Sequence, residues 1–155
     1  EMASTHRQAR KYDQAIAVYK ELLVLDSENA EKWRWQVACA HRDAGQHKEA
    51  IGWYRQCTNF PANSKEMAYC QRRLKQFKEA VALYMQVAGG DPGSAPWALL
   101  QVAYTLEESG EQERAIKAFQ QVCKRFPKDG HASRAHAHLQ DKYTISVTLG
   151  GAKDE

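Results

Sequence analysis

The chain has 155 residues, of which 43% are hydrophobic and 26% charged, and its formal net charge is +3. The length predicts one domain and the composition is typical of a globular protein with much helix. Basic and acidic residues are interspersed, and the densest basic cluster, residues 71–75, is short, so nucleic-acid binding is not expected. No apolar stretch reaches the roughly eighteen residues that a membrane span needs, so membrane insertion is not expected either.

Apolar periodicity predicts helices along the whole chain up to residue 142. In chain order they lie near residues 12–25, 31–43, 47–59, 64–74, 77–88, 95–108, 112–125 and 130–142. Turn residues lie between them, namely Gly45, Gly110, Pro61, Pro92 and Pro127. Asn63–Glu66 has the chemistry of a capping box for the following helix, and Asp129 is placed to cap the last one.

An internal repeat orders these helices. Four alanines share one local pattern, in which an aromatic residue follows four positions later: Ala15 with Tyr19, Ala50 with Tyr54, Ala80 with Tyr84, and Ala115 with Phe119. A second alanine precedes each by twelve positions, at Ala3, Ala38, Ala68 and Ala103. This constant spacing predicts a helical hairpin in every unit, whose small residues let two backbones approach closely. The first unit starts partway through its hairpin, so we expect an open face that upstream residues or another molecule would cover.

The spacing between units is irregular at one point. The four marker alanines are 35, 30 and 35 residues apart, while the spacing inside each hairpin does not change. The missing residues therefore fall between Ala50 and Ala68. We expect a shortened connection around Phe60–Ser64, a shorter first helix in the third unit, and a local change in superhelical path.

This pattern resembles the tetratricopeptide repeat family, whose unit has small and aromatic residues at the places that the alanines and aromatics occupy here. The resemblance covers residues 1–142 and implies an all-α, right-handed α-solenoid of antiparallel helix hairpins, with about 3.5 repeats plus a C-terminal capping helix. The units would span about residues 1–29, 30–60, 61–92 and 93–127, followed by the capping helix at 129–142 and an extended or flexible tail at 143–155. In the tail, the alternation of Thr144–Leu149 favours either a flexible end or an extended segment that docks on the solenoid or a neighbour.

The resemblance implies a non-catalytic scaffold that binds a protein or peptide in the concave groove of the solenoid. Carried over position by position, it predicts these groove residues: Trp35, Arg42, Lys65, Tyr69, Arg72, Arg73, Trp97, Gln101 and Tyr104. Trp, Tyr and Arg side chains dominate binding energies at interfaces, and this set suits a peptide with aromatic or aliphatic anchors and some acidic character. For Trp35 and Trp97 the alternative is packing between helices. The asparagines of the family's chaperone-tail clamp are missing, so binding of chaperone C-termini is not expected.

No signature of an enzyme is present, and neither a metal nor a cofactor is expected. His136 and His138, for example, are two residues apart and would point to different faces of a helix, whereas a zinc site needs converging ligands. The four cysteines all fall in predicted helices and are interpreted as core thiols. In the last helix, Arg134, His138, Gln140 and Asp141 are expected on a solvated outer side.

Two other functions stay open beside peptide binding. The chain could be a regulatory or docking module cut from a larger enzyme, or a self-assembly module that forms homo-oligomers through its open N-terminal end. Free cysteines slightly favour a cytoplasmic location. The last unit, with its aromatic-proline ending and spaced alanines, is similar to repeats of bacterial cell-envelope scaffold proteins, so the periplasm or cell envelope is the alternative.

Overall fold

The computed structural model describes residues 2–147, and it describes side chains from Ala9 onward. Within this range the chain forms eight α-helices and no strand, which confirms the all-α prediction. The helices are α1 (Met2–Leu25), α2 (Ala30–Asp43), α3 (His47–Arg55), α4 (Ala62–Arg73), α5 (Phe77–Gly90), α6 (Ala95–Glu108), α7 (Gln112–Arg125) and α8 (Gly130–Tyr143). Short 3-10 turns, Ser27–Asn29 and Pro92–Ser94, precede α2 and α6. Of the predicted tail segment, residues 144–147 are neither helix nor strand, and the rest lies outside the described residues.

The chain divides into two compact units, the first ending at Gln76 and the second beginning at Phe77. In the first unit α1 packs on α2, α2 on α3, and α3 on α4. In the second unit α5 packs on α6, α6 on α7, and α7 on α8, and α8 also contacts α6. Within each unit, helices that are adjacent in sequence therefore also pack against each other, as expected of helical repeats.

The repeated alanines and aromatics form the cores of both units. Six of the alanines are fully inaccessible to solvent: Ala38, Ala50, Ala68, Ala80, Ala103 and Ala115. The rings that follow them, Tyr54, Tyr84 and Phe119, are at most 2% exposed. Small side chains let the helices approach, and each buried ring stabilises the packing by roughly 2–3 kcal/mol. In the first repeat Ala15 and Tyr19 are only half-buried.

One tight turn recurs after α2, α4 and α6. Gly45 and Gly110 adopt positive φ angles of 77° and 86°, which confirms the predicted turns. Lys75 occupies the matching place with φ 59°. Each turn carries the same two backbone hydrogen bonds; after α4, for example, Lys75 N donates to Arg72 O, and Gln76 N donates to Gln71 O. Positive φ angles strain L-residues but not glycine. The backbone conformation of Lys75 is therefore strained, whereas Gly45 and Gly110 adopt it freely.

The predicted hairpin of the first repeat is wrong, because α1 runs without a break from Met2 to Leu25. Neither glycine nor proline interrupts these residues. Arg10 occupies the position that matches Gly45, and its neighbours Ala9 and Lys11 also favour helix. Nothing in the local sequence therefore stops the helix between Ala3 and Ala15.

The predicted shortened connection is wrong, because residues 56–61 between α3 and α4 are more numerous than residues 91–94 between α5 and α6. The five-residue deficit lies mainly in α3 instead. This helix has 9 residues, whereas α5 and α7 have 14 each, and the missing part is its C-terminal end. The prediction of a shorter first helix in the third unit is confirmed. Helix α4 has 12 residues, against 14 in α2 and α6, and it begins after Pro61. Residues 56–61 connect α3 to α4, and the Phe60–Pro61 peptide bond is cis.

The two predicted helix caps have opposite outcomes. The capping box at Asn63–Glu66 is wrong, because α4 already begins at Ala62 and Asn63 Nδ2 instead donates to Cys57 O at 2.8 Å. The cap at Asp129 is confirmed, since its carboxylate accepts from His131 N at 2.8 Å.

An aspartate also orders the connection between α1 and α2. Asp26 accepts hydrogen bonds from Asn29 Nδ2 and from Trp33 Nε1, the latter at 3.0 Å. Asp91 has the corresponding role before α6, where Ser94 donates to it. Farther along the first unit, the ammonium group of Lys20 lies over the Trp53 ring at 5.6 Å. The contacts of Asp26 and Asp91 fix how the chain enters α2 and α6, which carry part of the candidate site.

The cysteines follow the prediction of core thiols. Cys57, Cys70 and Cys123 are buried, Cys39 is half-buried, and none of the four forms a disulfide with another described residue. Burial raises the pKa of the Cys57 thiol to about 11 and that of Cys70 to about 12, which makes both poor nucleophiles.

Candidate functional site

The nine predicted groove residues lie on three helices. Trp35 and Arg42 are on α2, the basic residues and Tyr69 of the third repeat are on α4, and Trp97, Gln101 and Tyr104 are on α6. The first six belong to the first unit and the last three to the second. On α4 the spacing of Lys65, Tyr69, Arg72 and Arg73 forms one helical stripe.

Arg42 connects α2 to α4 in the first unit. Its guanidinium group contacts Glu66 at 2.6 Å and Asp43 at 2.9 Å. Burial alone would lower the pKa of Arg42, but the hydrogen bonds to Glu66 and Asp43 outweigh it and the pKa is raised. A partner anion would therefore compete with Glu66 for this cation, and Arg42 serves first to join the two helices.

Trp35 also contributes to packing in this unit. Its ring meets Tyr54 edge-on, with ring centroids 5.0 Å apart, and it is half-buried. The hydroxyl of Tyr54 in turn donates to Cys39 Sγ at 3.4 Å. The packing that sequence reasoning kept as an alternative for Trp35 is present, and it leaves part of the ring accessible.

Tyr69 is the accessible aromatic of the face. Its side chain is 44% exposed, and its ring lies edge-on to the imidazole of His47 at 6.1 Å. Arg73, one turn further on α4, is exposed. Burial, with the positive charges of Arg73 and Arg42, lowers the pKa of His47, so the imidazole is neutral near pH 7. Its Nδ1 atom is buried and has no hydrogen-bond partner in the described part of the chain.

In the second unit, Trp97, Gln101 and Tyr104 follow one face of α6, and all are half-buried. Trp97 meets Tyr84 edge-on at 5.6 Å. Tyr104 lies edge-on to Phe119 at 5.1 Å and to His138 at 5.2 Å. This stripe is therefore supported from beneath by core rings and by α8.

Beside Tyr104 lies a polar cluster that sequence reasoning missed. The carboxylate of Glu107 accepts hydrogen bonds from three residues of α8: His138 Nε2 at 2.9 Å, Tyr143 OH at 2.7 Å, and Lys142. His138 was predicted on a solvated outer side, which is wrong, because its ring also packs against Phe119 at 4.7 Å. The i, i+4 spacing of His138 and Lys142 was the available signal, since it places both donors on one face of α8.

Electrostatics explain the stability of this cluster. Burial would raise the pKa of Glu107, but the hydrogen bonds from Lys142, Tyr143 and His138 outweigh it and the pKa is lowered. Burial and the bond to Glu107 raise the pKa of Tyr143 to about 12. An ionised carboxylate is thus held by donors that fix α8 to α6.

Two further features of the described residues concern metal binding and membrane insertion. Among the side chains that the structure describes, from residue 9 to residue 147, His, Cys, Asp and Glu never gather in the groups of three that would hold a metal ion. Over the same residues, every helix is too short or too polar to cross a bilayer.

Comparison with known proteins gives the family. Three family models described as tetratricopeptide repeat match residues 1–64, 66–94 and 96–139, and so account for nearly the whole chain. No curated protein matches the sequence. Repeats of this kind are generally scaffolds for protein–protein interaction and typically do not catalyse reactions. The chain belongs to the tetratricopeptide repeat family.

Proposed function

We propose that this chain is a non-catalytic scaffold that binds a protein or peptide partner through the exposed faces of α2, α4 and α6. In the first unit the contact centres on Tyr69 and Arg73. In the second unit the corresponding face is the stripe of Trp97, Gln101 and Tyr104. Arg42 and Trp35 hold the first face in shape.

The observation that carries the proposal is the exposure of Tyr69. Tyr69 is 44% exposed, its ring contacts the ring of His47, and the exposed Arg73 follows one helical turn later. These two exposed side chains can bury a large area when a partner binds. Tyrosine and arginine are enriched among the residues that dominate interfaces. Because the ring already has a neighbour, it loses little conformational entropy when a partner covers it.

The test uses peptides selected from a random displayed library against the wild-type protein. We expect the selected peptides to lose at least about tenfold in affinity on Tyr69→Ala/Arg73→Ala, which corresponds to about 1.4 kcal/mol. The matched control is Arg55→Ala/Phe60→Ala, which removes an exposed arginine and a 41% exposed aromatic from the same unit. Circular dichroism checks that both variants keep their helices. Peptides that bind both variants as well as the wild type would refute the assignment.

A second candidate function is self-association through α1. Three apolar side chains of this helix are strongly exposed: Val18 at 52%, Val24 at 80% and Leu25 at 81%. Adjacent exposed apolar groups of this kind are typical of interaction surfaces. Light scattering should then give a mass above that of one chain, and Val24→Lys/Leu25→Lys should restore the monomer. A wild-type protein that stays monomeric at high concentration would exclude this candidate.

A further inference from the structure

We infer that the exposed side of α7, together with residues 146 and 147, is a binding site for an acidic peptide in the extended polyproline II conformation. A cleft of about 490 Å³ lies at this place in the second unit, lined by Lys117, Gln120, Gln121, Lys124, Ser146 and Val147. The site is separate from the proposed contact at Tyr69, and neither depends on the other.

The charge of this helix is one-sided. Residues 114–128 contain five basic residues and no acidic one. Arg114 is paired with Glu111, but Lys117 and Lys124 are exposed and have no ion-pair partner among the described side chains. Lys124 lies in the last turn of α7, where a cation also stabilises the helix dipole. That role does not account for Lys117 in the middle of the helix, nor for the cleft between the two lysines.

The spacing of the two lysines selects the ligand. They are seven residues apart on one helix, so their backbones are separated by about 10.5 Å along its axis. In a polyproline II peptide, which has three residues per turn, side chains three residues apart lie on the same face and are separated by about 9.3 Å. An Asp-Ala-Ala-Asp peptide can therefore present one carboxylate to each ammonium group.

The remaining lining suits a peptide backbone better than a nucleic acid. Gln120 and Gln121 carry amides that can donate to and accept from peptide groups, Ser146 carries a hydroxyl, and Val147 adds an apolar contact. None of the described residues that line the cleft carries an aromatic ring. Proteins that bind single-stranded nucleic acid stack bases on such rings, so this cleft lacks the platform that a nucleic acid would use.

Isothermal titration calorimetry with two peptides of equal charge tests the inference. The first has the Asp-Ala-Ala-Asp spacing and the second has its two aspartates adjacent. We expect the spaced peptide to bind at least about fivefold more tightly, and Lys117→Gln/Lys124→Gln to weaken it by about tenfold, as expected for two partly exposed ion pairs. The control Lys11→Gln/Lys48→Gln, which removes two exposed lysines from the first unit, should change the affinity less than twofold. Tyr69→Ala/Arg73→Ala should leave the affinity for the spaced peptide unchanged.

Several outcomes would overturn the inference. These are a wild-type protein that does not bind the spaced peptide, equal affinity for both peptides, and an equal loss in the control variant. A single-stranded oligonucleotide that binds more tightly than the peptide, and is lost on Lys117→Gln/Lys124→Gln, would show that the surface recognises nucleic acid instead. Conversely, a Lys-Ala-Ala-Lys peptide that binds Lys117→Glu/Lys124→Glu but not the wild type would support the assigned spacing.

Discussion

Replacing Glu107 by glutamine keeps the size of the side chain and removes its charge. The carboxylate is only 13% exposed and accepts from His138, Tyr143 and Lys142. A hydrogen bond to an ionised group contributes about 1.5–3 kcal/mol, against about 0.5–1.5 for a neutral pair. Lys142 is 54% exposed, so its share is that of a surface pair, about 0.2–1 kcal/mol. The side-chain NH₂ group of glutamine is itself a donor, and it would face the donors of His138, Tyr143 and Lys142. We expect the free energy of unfolding to fall by about 2–3 kcal/mol.

Urea unfolding and hydrogen exchange of α8 measure this loss. The exposed Glu113→Gln on α7 is the control, and we expect it to change stability by less than about 0.5 kcal/mol. The pH dependence has a definite sign. Because the pKa of Glu107 is lowered in the folded state, its contribution is complete above the ordinary glutamate pKa of about 4.3 and is lost as the pH falls through the folded value. The difference between wild type and Glu107→Gln should therefore be full at pH 7 and shrink below about pH 4.3.

Three results would contradict this prediction. One is a Glu107→Gln variant that is as stable as the control, since the donors of α8 would then not depend on the charge. Another is a difference in unfolding free energy between wild type and Glu107→Gln that is the same at pH 3 as at pH 7. Protonation at pH 3 removes the charge of Glu107, so the stabilisation would then not depend on that charge. Exchange that stays slow in α8 of the variant would show that packing alone holds this helix.

Other predictions concern stability and reactivity. Lys75→Gly should stabilise the protein by about 0.5–1 kcal/mol in urea unfolding, because it relieves the positive φ angle; a loss would show that the strain is already compensated. Gln71→Leu should raise the unfolding free energy by about 1 kcal/mol, since the Gln71 Oε1 atom is buried without a hydrogen-bond partner among the described residues and the matching residue of the fourth repeat is the buried Leu106; a lower midpoint would contradict this. A thiol reagent should modify Cys39 before the three buried cysteines, and mass spectrometry of partly labelled protein would reveal any other order.

The repeat could be read from the sequence because its markers are local. Ala50 and Tyr54 recur with their partners at fixed distances, and the turns need the positive φ angle that Gly45 supplies. The same spacing was misleading in α1, because residues twelve apart also occur along one uninterrupted helix. The deficit between Ala50 and Ala68 was located correctly, but spacing alone could not tell a shortened connection from a shortened α3.

The candidate site could be predicted only in part, for a related reason. The helical stripe with Tyr69 follows from spacing, but the engagement of Arg42 depends on Glu66, which is 24 residues away in sequence. Glu107 meets its partners across 31 and 36 residues, so no local pattern contains the cluster. Contacts between helices depend on how the backbones pack, and a single sequence does not specify that packing residue by residue.

The tryptophans are unevenly divided between the two units. Trp33, Trp35 and Trp53 belong to the first unit, whereas Trp97 is the single tryptophan of the second. Most of the tryptophan fluorescence of the protein is therefore expected to come from the first unit. The part of the fluorescence that is lost on Trp97→Phe reports on the second unit. Repeat proteins unfold as a sum of local stabilities and neighbour interactions. These four indoles therefore provide a built-in pair of optical probes for measuring how strongly the folding of one unit depends on the other.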